Sequence, residues 1–240
     1  MKRVGEVIVS AWLWASGLAV FIAGALAILV ACLFPRGWGL EWLIKRVCRT
    51  ILAVCRVRVR RFGLENVDLS KRYILMMNHV NLFDPLILYG FFPGRARGVE
   101  EESHFHWPLY GLMQRRIGNI PINRKSGAQA RQALQRAAEL IREKPNFSFI
   151  VLPEGTRTLS GKIGPFKRGG FLLAQEAGLE ILPIIQKGAF RINNKNSWLI
   201  RPGRVDLIFE KPIPTSGFGR ERIFDLMDTV RAVFLRHVER

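Results

Sequence analysis

Residues 78–84 read NHVNLFD and follow directly on the apolar run of residues 73–77. A histidine, His79, thus stands five positions ahead of an aspartate, Asp84, at the end of an expected buried strand. An imidazole with an ordinary pKa of about 6.5 can take a proton from an alcohol at neutral pH. A carboxylate on its second ring nitrogen fixes the tautomer and stabilises the imidazolium that forms. The pair by itself also has a structural reading. Asp84 before Pro85 is a natural helix N-cap with proline at the first helical position, and His79 is then a turn histidine with satisfied hydrogen bonds.

Three further blocks bear on the choice. Residues 118–124 read GNIPINR, a short strand ending in the cation Arg124. Residues 151–157 read VLPEGTR, at the end of the apolar run 147–152. Residues 182–185 read LPII, inside another apolar run. Taken alone, PEGTR also reads as a glycine-containing turn whose Glu154 and Arg157 form a surface ion pair.

In this order the blocks resemble those of the glycerolipid acyltransferase family, typified by enzymes of 1-acylglycerol-3-phosphate (lysophosphatidic acid). His79 and Asp84 match its NHxxxxD block, and residues 118–124 its second block. Glu154, Gly155, Thr156 and Arg157 match its PEGTR block, and Leu182 and Pro183 its last one. Residues 166–170 (FKRGG) are similar to its short basic-glycine step. Two positions depart from the family: Asn81 stands where Ser is common, and Asn123 where Asp is frequent. Both departures bear on which acceptor fits, since neither removes the base or the cations.

The resemblance implies an acyl transfer from acyl-CoA or acyl-acyl-carrier-protein, used as co-substrate, to the free hydroxyl of a lysophospholipid. His79 would act as general base and Asp84 would orient it. Arg124 and Arg157 would hold the acceptor's phosphate, because guanidinium forks match phosphate oxygens. Gly155 would let the backbone approach the ligand, Glu154 would orient Arg157 or bind a glycerol hydroxyl, and Thr156 completes the block. No cofactor and no metal is expected. With no nucleophile elbow, and no cysteine near His79, direct transfer is favoured over a covalent acyl-enzyme. The remaining alternatives are another acceptor (glycerol-3-phosphate, a lyso-aminolipid or another lysophospholipid) and a non-catalytic basic membrane protein.

The elements that must position these residues follow from the pattern of the chain. Its 240 residues are 49% hydrophobic, enough for one α/β domain with an appendage. Lys and Arg number 37 against 19 acidic residues, a net charge of +18 that calls for a polyanionic partner. Residues 7–35 carry no charge. As a helix they would reach about 40 Å, beyond the ~30 Å hydrocarbon core, so the partner is expected to be an anionic membrane and not nucleic acid. A cleaved secretory signal is the competing reading, with Lys2 and Arg3 ahead and Cys32 at a lipoprotein-like position. The stretch is about twice the usual length for that.

A second helix is expected over residues 40–57, basic through Lys45, Arg46 and Arg49, with Trp38 and Trp42 at headgroup level. Residues 1–57 then form a two-helix membrane anchor, either spanning or held in one leaflet, and residues 58–240 an α/β acyltransferase domain. The excess of Lys and Arg after the apolar stretch places that domain on the cytoplasmic face. The odd count of cysteines (Cys32, Cys48 and Cys55) fits apolar packing.

Strands are expected over residues 56–61 (an edge strand), 73–77, 117–122, 147–152, 181–186 and 205–210. Helices are expected over 85–92, 107–116, 127–144, 169–178 and 220–238. Such alternation predicts a largely parallel mixed sheet flanked by helices, with ligands gathering at the strands' C-terminal ends. Residues 100–106 (EEESHFH) are read as a solvated polar loop, in preference to a metal site built on His104 and His106.

Overall fold

The computed structural model describes residues 2–34, 39–123 and 128–238. Strands β1 (Val57–Phe62), β2 (Tyr73–Met77), β3 (Ala96–Glu101), β4 (Ile120–Ile122), β5 (Ser148–Val151), β6 (Glu180–Lys187) and β7 (Gly203–Phe209) form one sheet. Their order is β1-β7-β6-β2-β5-β3-β4, and β6–β7 is the antiparallel pair in an otherwise parallel sheet. The α/β class and the largely parallel sheet are those expected from the alternation of strands and helices.

Central position explains the composition of β2. All five of its residues are buried, because helices cover both faces of a parallel sheet and leave no polar side. Tyr73, Leu75 and Met77 pack toward α2 (Leu40–Val54) and α3 (Asp84–Phe91). Ile74 and Met76 pack toward α5 (Ala128–Arg142), α6 (Arg168–Ala177) and α8 (Ile223–Val238). Helix α1 (Lys2–Ala31) lies outside α2, and α4 (Tyr110–Ile117) closes the same side. A last short helix, α7 (Ala189–Ile192), follows β6.

Strand β3 falls where no strand was expected. Its sequence, ARGVEE, lacks an apolar run because Arg97 occupies an interior position. That charge is satisfied on every side. The guanidinium pairs with Glu41, donates to the carbonyls of Ile117 and Ala96, and stacks over Phe147 at 4.0 Å. Residues 100–106 are accordingly not a solvated loop. They carry the end of β3 and a 3-10 turn (Glu102–His106) whose Phe105 is buried, and Glu100 accepts from Tyr110 and Gln114. Residue 117, expected in a strand, instead ends α4, and Gly118 with φ 90° turns the chain into β4.

Helix α1 is long and apolar enough to cross a membrane, with a mean hydropathy of 2.3 over its apolar window; among the described residues it is the one helix of that kind. It does not project away from the domain. A Cβ at Gly17 would sit 2.9 Å from Cys55 Sγ, and one at Gly24 only 2.3 Å from Val47 Cγ1, so both glycines allow close helix contact. Ser10 bonds to both backbone groups of Ile200. Leu13, Ile51, Leu52 and Cys55 share one core cluster with Tyr73 and Leu75. The other side of α1 exposes Val4, Ile8, Trp12, Leu18, Leu26 and Val30. Helix α2 turns Ile44, Cys48, Ile51 and Leu52 inward and leaves Trp42 exposed. Trp38 lies outside the described residues.

Candidate active site

Parallel strands deliver their C-terminal ends to one edge of the sheet, where the half-buried His79 meets the buried Asp84, Glu154 and Gln186. His79 follows β2 by two residues and Glu154 follows β5 by three, while Gln186 is the penultimate residue of β6. Asp84 opens α3 and is fully buried. His79 Nδ1 lies 2.7 Å from Asp84 Oδ2. The same carboxylate accepts the N–H groups of Val80 (2.6 Å) and Asn81 (3.1 Å), and Gln186 Nε2 donates to its Oδ1 at 2.7 Å. A carboxylate oxygen facing a ring nitrogen is an acceptor and demands a proton on that nitrogen. His79 therefore carries its proton on Nδ1, and Nε2 is left as the basic atom. Asp84 also differs from the N-cap reading: its oxygens turn back to the preceding loop, and the cap position is Phe83.

The main chain of His79 is clamped by the loop after β5. Its N–H donates to Glu154 Oε1 at 2.7 Å, and its carbonyl accepts from the N–H of Thr158 at 2.8 Å. The second oxygen of Glu154 accepts from Gly164 N at 2.8 Å. Glu154 is 5% exposed and makes no ion pair with Arg157. Burial pushes its carboxyl above the ordinary value of 4.5, opposed by the N–H groups of His79 and Gly164. Gly155 has φ +66°, and a Cβ there would press into the Lys167 side chain at 2.9 Å. That contact brings Lys167 of the basic-glycine step onto the PEGTR turn.

Thr156 is exposed, and its Oγ1 accepts from Lys195 Nζ at 3.2 Å. Arg157 is half-buried and forms no ion pair among the described residues. Arg124, the other expected phosphate ligand, lies outside the described residues. The structure thus brings His79, Asp84, Glu154, Gly155, Thr156 and Arg157 to one edge.

The sequence did not reveal the roles of Gln186, Asn78 and Asn81. Gln186 N–H and side chain engage Asn78 Oδ1 and the Asn78 carbonyl, at 2.9 and 2.8 Å, while Asn78 Nδ2 returns a bond to the Gln186 carbonyl. Asn81, one of the two departures, is 1% exposed and spends its amide on Ala189 O and on the N–H of Phe83. It shapes the His79 loop from inside and does not face an acceptor. A polar residue closing a buried apolar strand, as Gln186 does, is the one signal that pointed here.

Comparison with known proteins bears on the family and the fold. Residues 58–187, more than half of the chain, match the family model described as Acyltransferase. The chain is 31% identical over 169 residues to the 1-acyl-sn-glycerol-3-phosphate acyltransferase of Limnanthes douglasii, covering 70% of this chain and 60% of that protein. It therefore spans only about 60% of the length of that relative. It is 27% identical over 218 residues to the protein of the same name from Pseudomonas aeruginosa, covering 89% of this chain and 83% of that one. Its fold is similar to the solved 1-acyl-sn-glycerophosphate acyltransferase of Thermotoga maritima, with a TM-score of 0.80 and 24% identity over 100% and 98% of the two chains. With its family model matched over more than half its length, this chain belongs to the acyltransferase family.

Proposed function

We propose that this protein is a membrane-bound O-acyltransferase that moves an acyl chain from acyl-CoA or acyl-carrier protein to the free hydroxyl of a lysophospholipid. The acceptor we favour is 1-acylglycerol-3-phosphate, giving phosphatidic acid. The observation that carries this reading is His79, tautomerically fixed by a buried Asp84, with Nε2 unbonded among the described residues. In the reaction the acceptor hydroxyl gives its proton to Nε2 as its oxygen attacks the thioester carbonyl. The tetrahedral adduct then expels the thiolate, which takes the proton from the imidazolium and leaves as free thiol. Asp84 stabilises the imidazolium in between. General-base assistance of this kind contributes about 10²–10⁴ in rate. Glu154 acts at one remove, fixing the His79 backbone, and Arg157 with Arg124 receives the acceptor's phosphate. The names of the relatives support the acceptor class.

The packing of α1 supports a place in one leaflet. Standing α1 upright across a bilayer would carry α2, with exposed Arg46 and Arg49, into hydrocarbon at about 2.5–3.5 kcal/mol per charge. Lying flat, α1 buries its exposed apolar side and keeps the basic groups at the anionic surface, with the domain on the cytoplasmic face.

The test is transfer of labelled acyl thioester to a panel of lysolipids, by the wild type and by Arg157→Ala. The variant should lose about tenfold to a hundredfold in kcat/KM on phosphomonoester acceptors, the worth of a charge-assisted hydrogen bond, and much less on neutral ones. Equal losses on both would remove Arg157 from the phosphate site.

A further inference from the structure

A cavity opens at the edge of the sheet opposite to His79. It has a volume of about 640 Å³ and lies between the end of α1, the start of α2, the end of α4 and the segments leading into β3 and β5. Arg95, Arg116 and Lys144 line it, and none of their three side chains makes an ion pair or hydrogen bond among the described residues. Its two carboxylates do not cancel them. Glu41 is committed to buried Arg97, and Glu143 stands alone against the three free cations. Arg115, which also lines it, is spent on the Phe105 carbonyl, and the wall includes the aromatic groups of Phe34, Trp42 and Phe147. Phe34 and Trp42 are each 62% exposed and continue the apolar side of α1 toward the mouth of the cavity.

A cavity with unpaired cations on one wall and aromatics opening to a membrane-facing helix matches an amphiphile with an anionic head. We infer that it is a binding site for a membrane phospholipid with an anionic headgroup, its phosphate among Arg95, Arg116 and Lys144 and its chains along α1 and Trp42. The site is separate from the reacting centre, because β2 and its parallel neighbours stand between the two edges. Five residues of strand span about 17 Å. A lipid held there would seat the far end of α1 and α2 in the bilayer and make anchoring depend on headgroup charge.

Calorimetric titration of the full chain with short-chain dihexanoyl phosphatidylglycerol, which is neither acceptor nor product of the proposed reaction, tests this. Saturable binding is expected, with dihexanoyl phosphatidylcholine far weaker and inorganic phosphate unable to compete. Each basic group near an anionic headgroup is worth a factor of about five. Arg116→Gln with Lys144→Gln should therefore weaken binding about twenty-five-fold, and the double change to Glu should abolish it. Two charge reversals elsewhere, at Arg136 and Arg236, should leave it unchanged. Acyl transfer on detergent-dispersed substrate should be the same in the Gln pair as in the wild type, and His79→Ala should bind the lipid normally. Equal affinity for the neutral lipid, displacement by inorganic phosphate, or unchanged binding by the Gln pair would each overturn the assignment.

Discussion

Asp84 and Gln186 are 102 positions apart in the chain, and Glu154 lies 75 beyond His79, yet all four side chains meet at one strand edge. The His79–Asp84 pair was legible because both members sit in one seven-residue block. What the other polar groups do was not, since it depends on which strands lie side by side. Glu154 illustrates the gap. Its position in PEGTR points outward to a ligand, whereas its carboxylate turns inward to hold two backbone N–H groups. Replacing it by Gln sets an amide NH₂ against one of those donors and should cost about 1–3 kcal/mol of stability. The pH dependence has a defined sign. The folded-state pKa is raised by burial, so the native protein holds this proton more tightly than the unfolded chain. Its contribution to stability is greatest below about 4.5 and declines as pH rises toward the raised value. Thermal melting across acidic pH should show the advantage of the wild type over Glu154→Gln shrinking with rising pH; an advantage that grew would contradict the burial argument.

Among the elements, those with strong apolar periodicity were readable and those whose charges are buried were not. The apolar run of β2, and the amphipathic pattern that gives α5 its buried Leu134, Ala137, Ala138 and Ile141, follow from local spacing alone. Strand β3 does not, because Arg97 is neutralised by Glu41 from α2, far away in sequence. Helix α1 was readable as apolar but not as packed: its contacts run through glycines whose role appears only against Val47 and Cys55. Gly24→Val should push α1 from α2 and cost about 1–3 kcal/mol, as overpacking does. Gly5→Val, where a Cβ meets nothing within 4 Å, should change stability by less than about 0.5 kcal/mol. Melting of both variants in detergent distinguishes a packed α1 from a loosely tethered one, for which the two would behave alike.

At the scale of the whole molecule, +18 of net charge and an exposed apolar helix face act on the same partner by different physics. Burial of hydrocarbon does not depend on counterions, whereas attraction of Lys and Arg to anionic lipid is screened over roughly 8–10 Å at physiological salt. Full-length protein should therefore stay on vesicles through a high-salt wash. A chain with Ile8, Trp12 and Leu18 changed to Lys on the exposed side of α1 should bind anionic vesicles at low salt and detach at high salt. Retention of that variant in high salt would place the main anchor elsewhere. The central claim, that His79 takes the acceptor's proton in a direct transfer, is tested most directly by steady-state transfer from a labelled acyl thioester to 1-acylglycerol-3-phosphate, comparing the wild type with folded His79→Ala. The predicted result is diacyl product from the wild type and a kcat lower by about 10²–10⁴ in the variant, with KM little changed. A variant that formed diacyl product within a few-fold of the wild-type rate would contradict it.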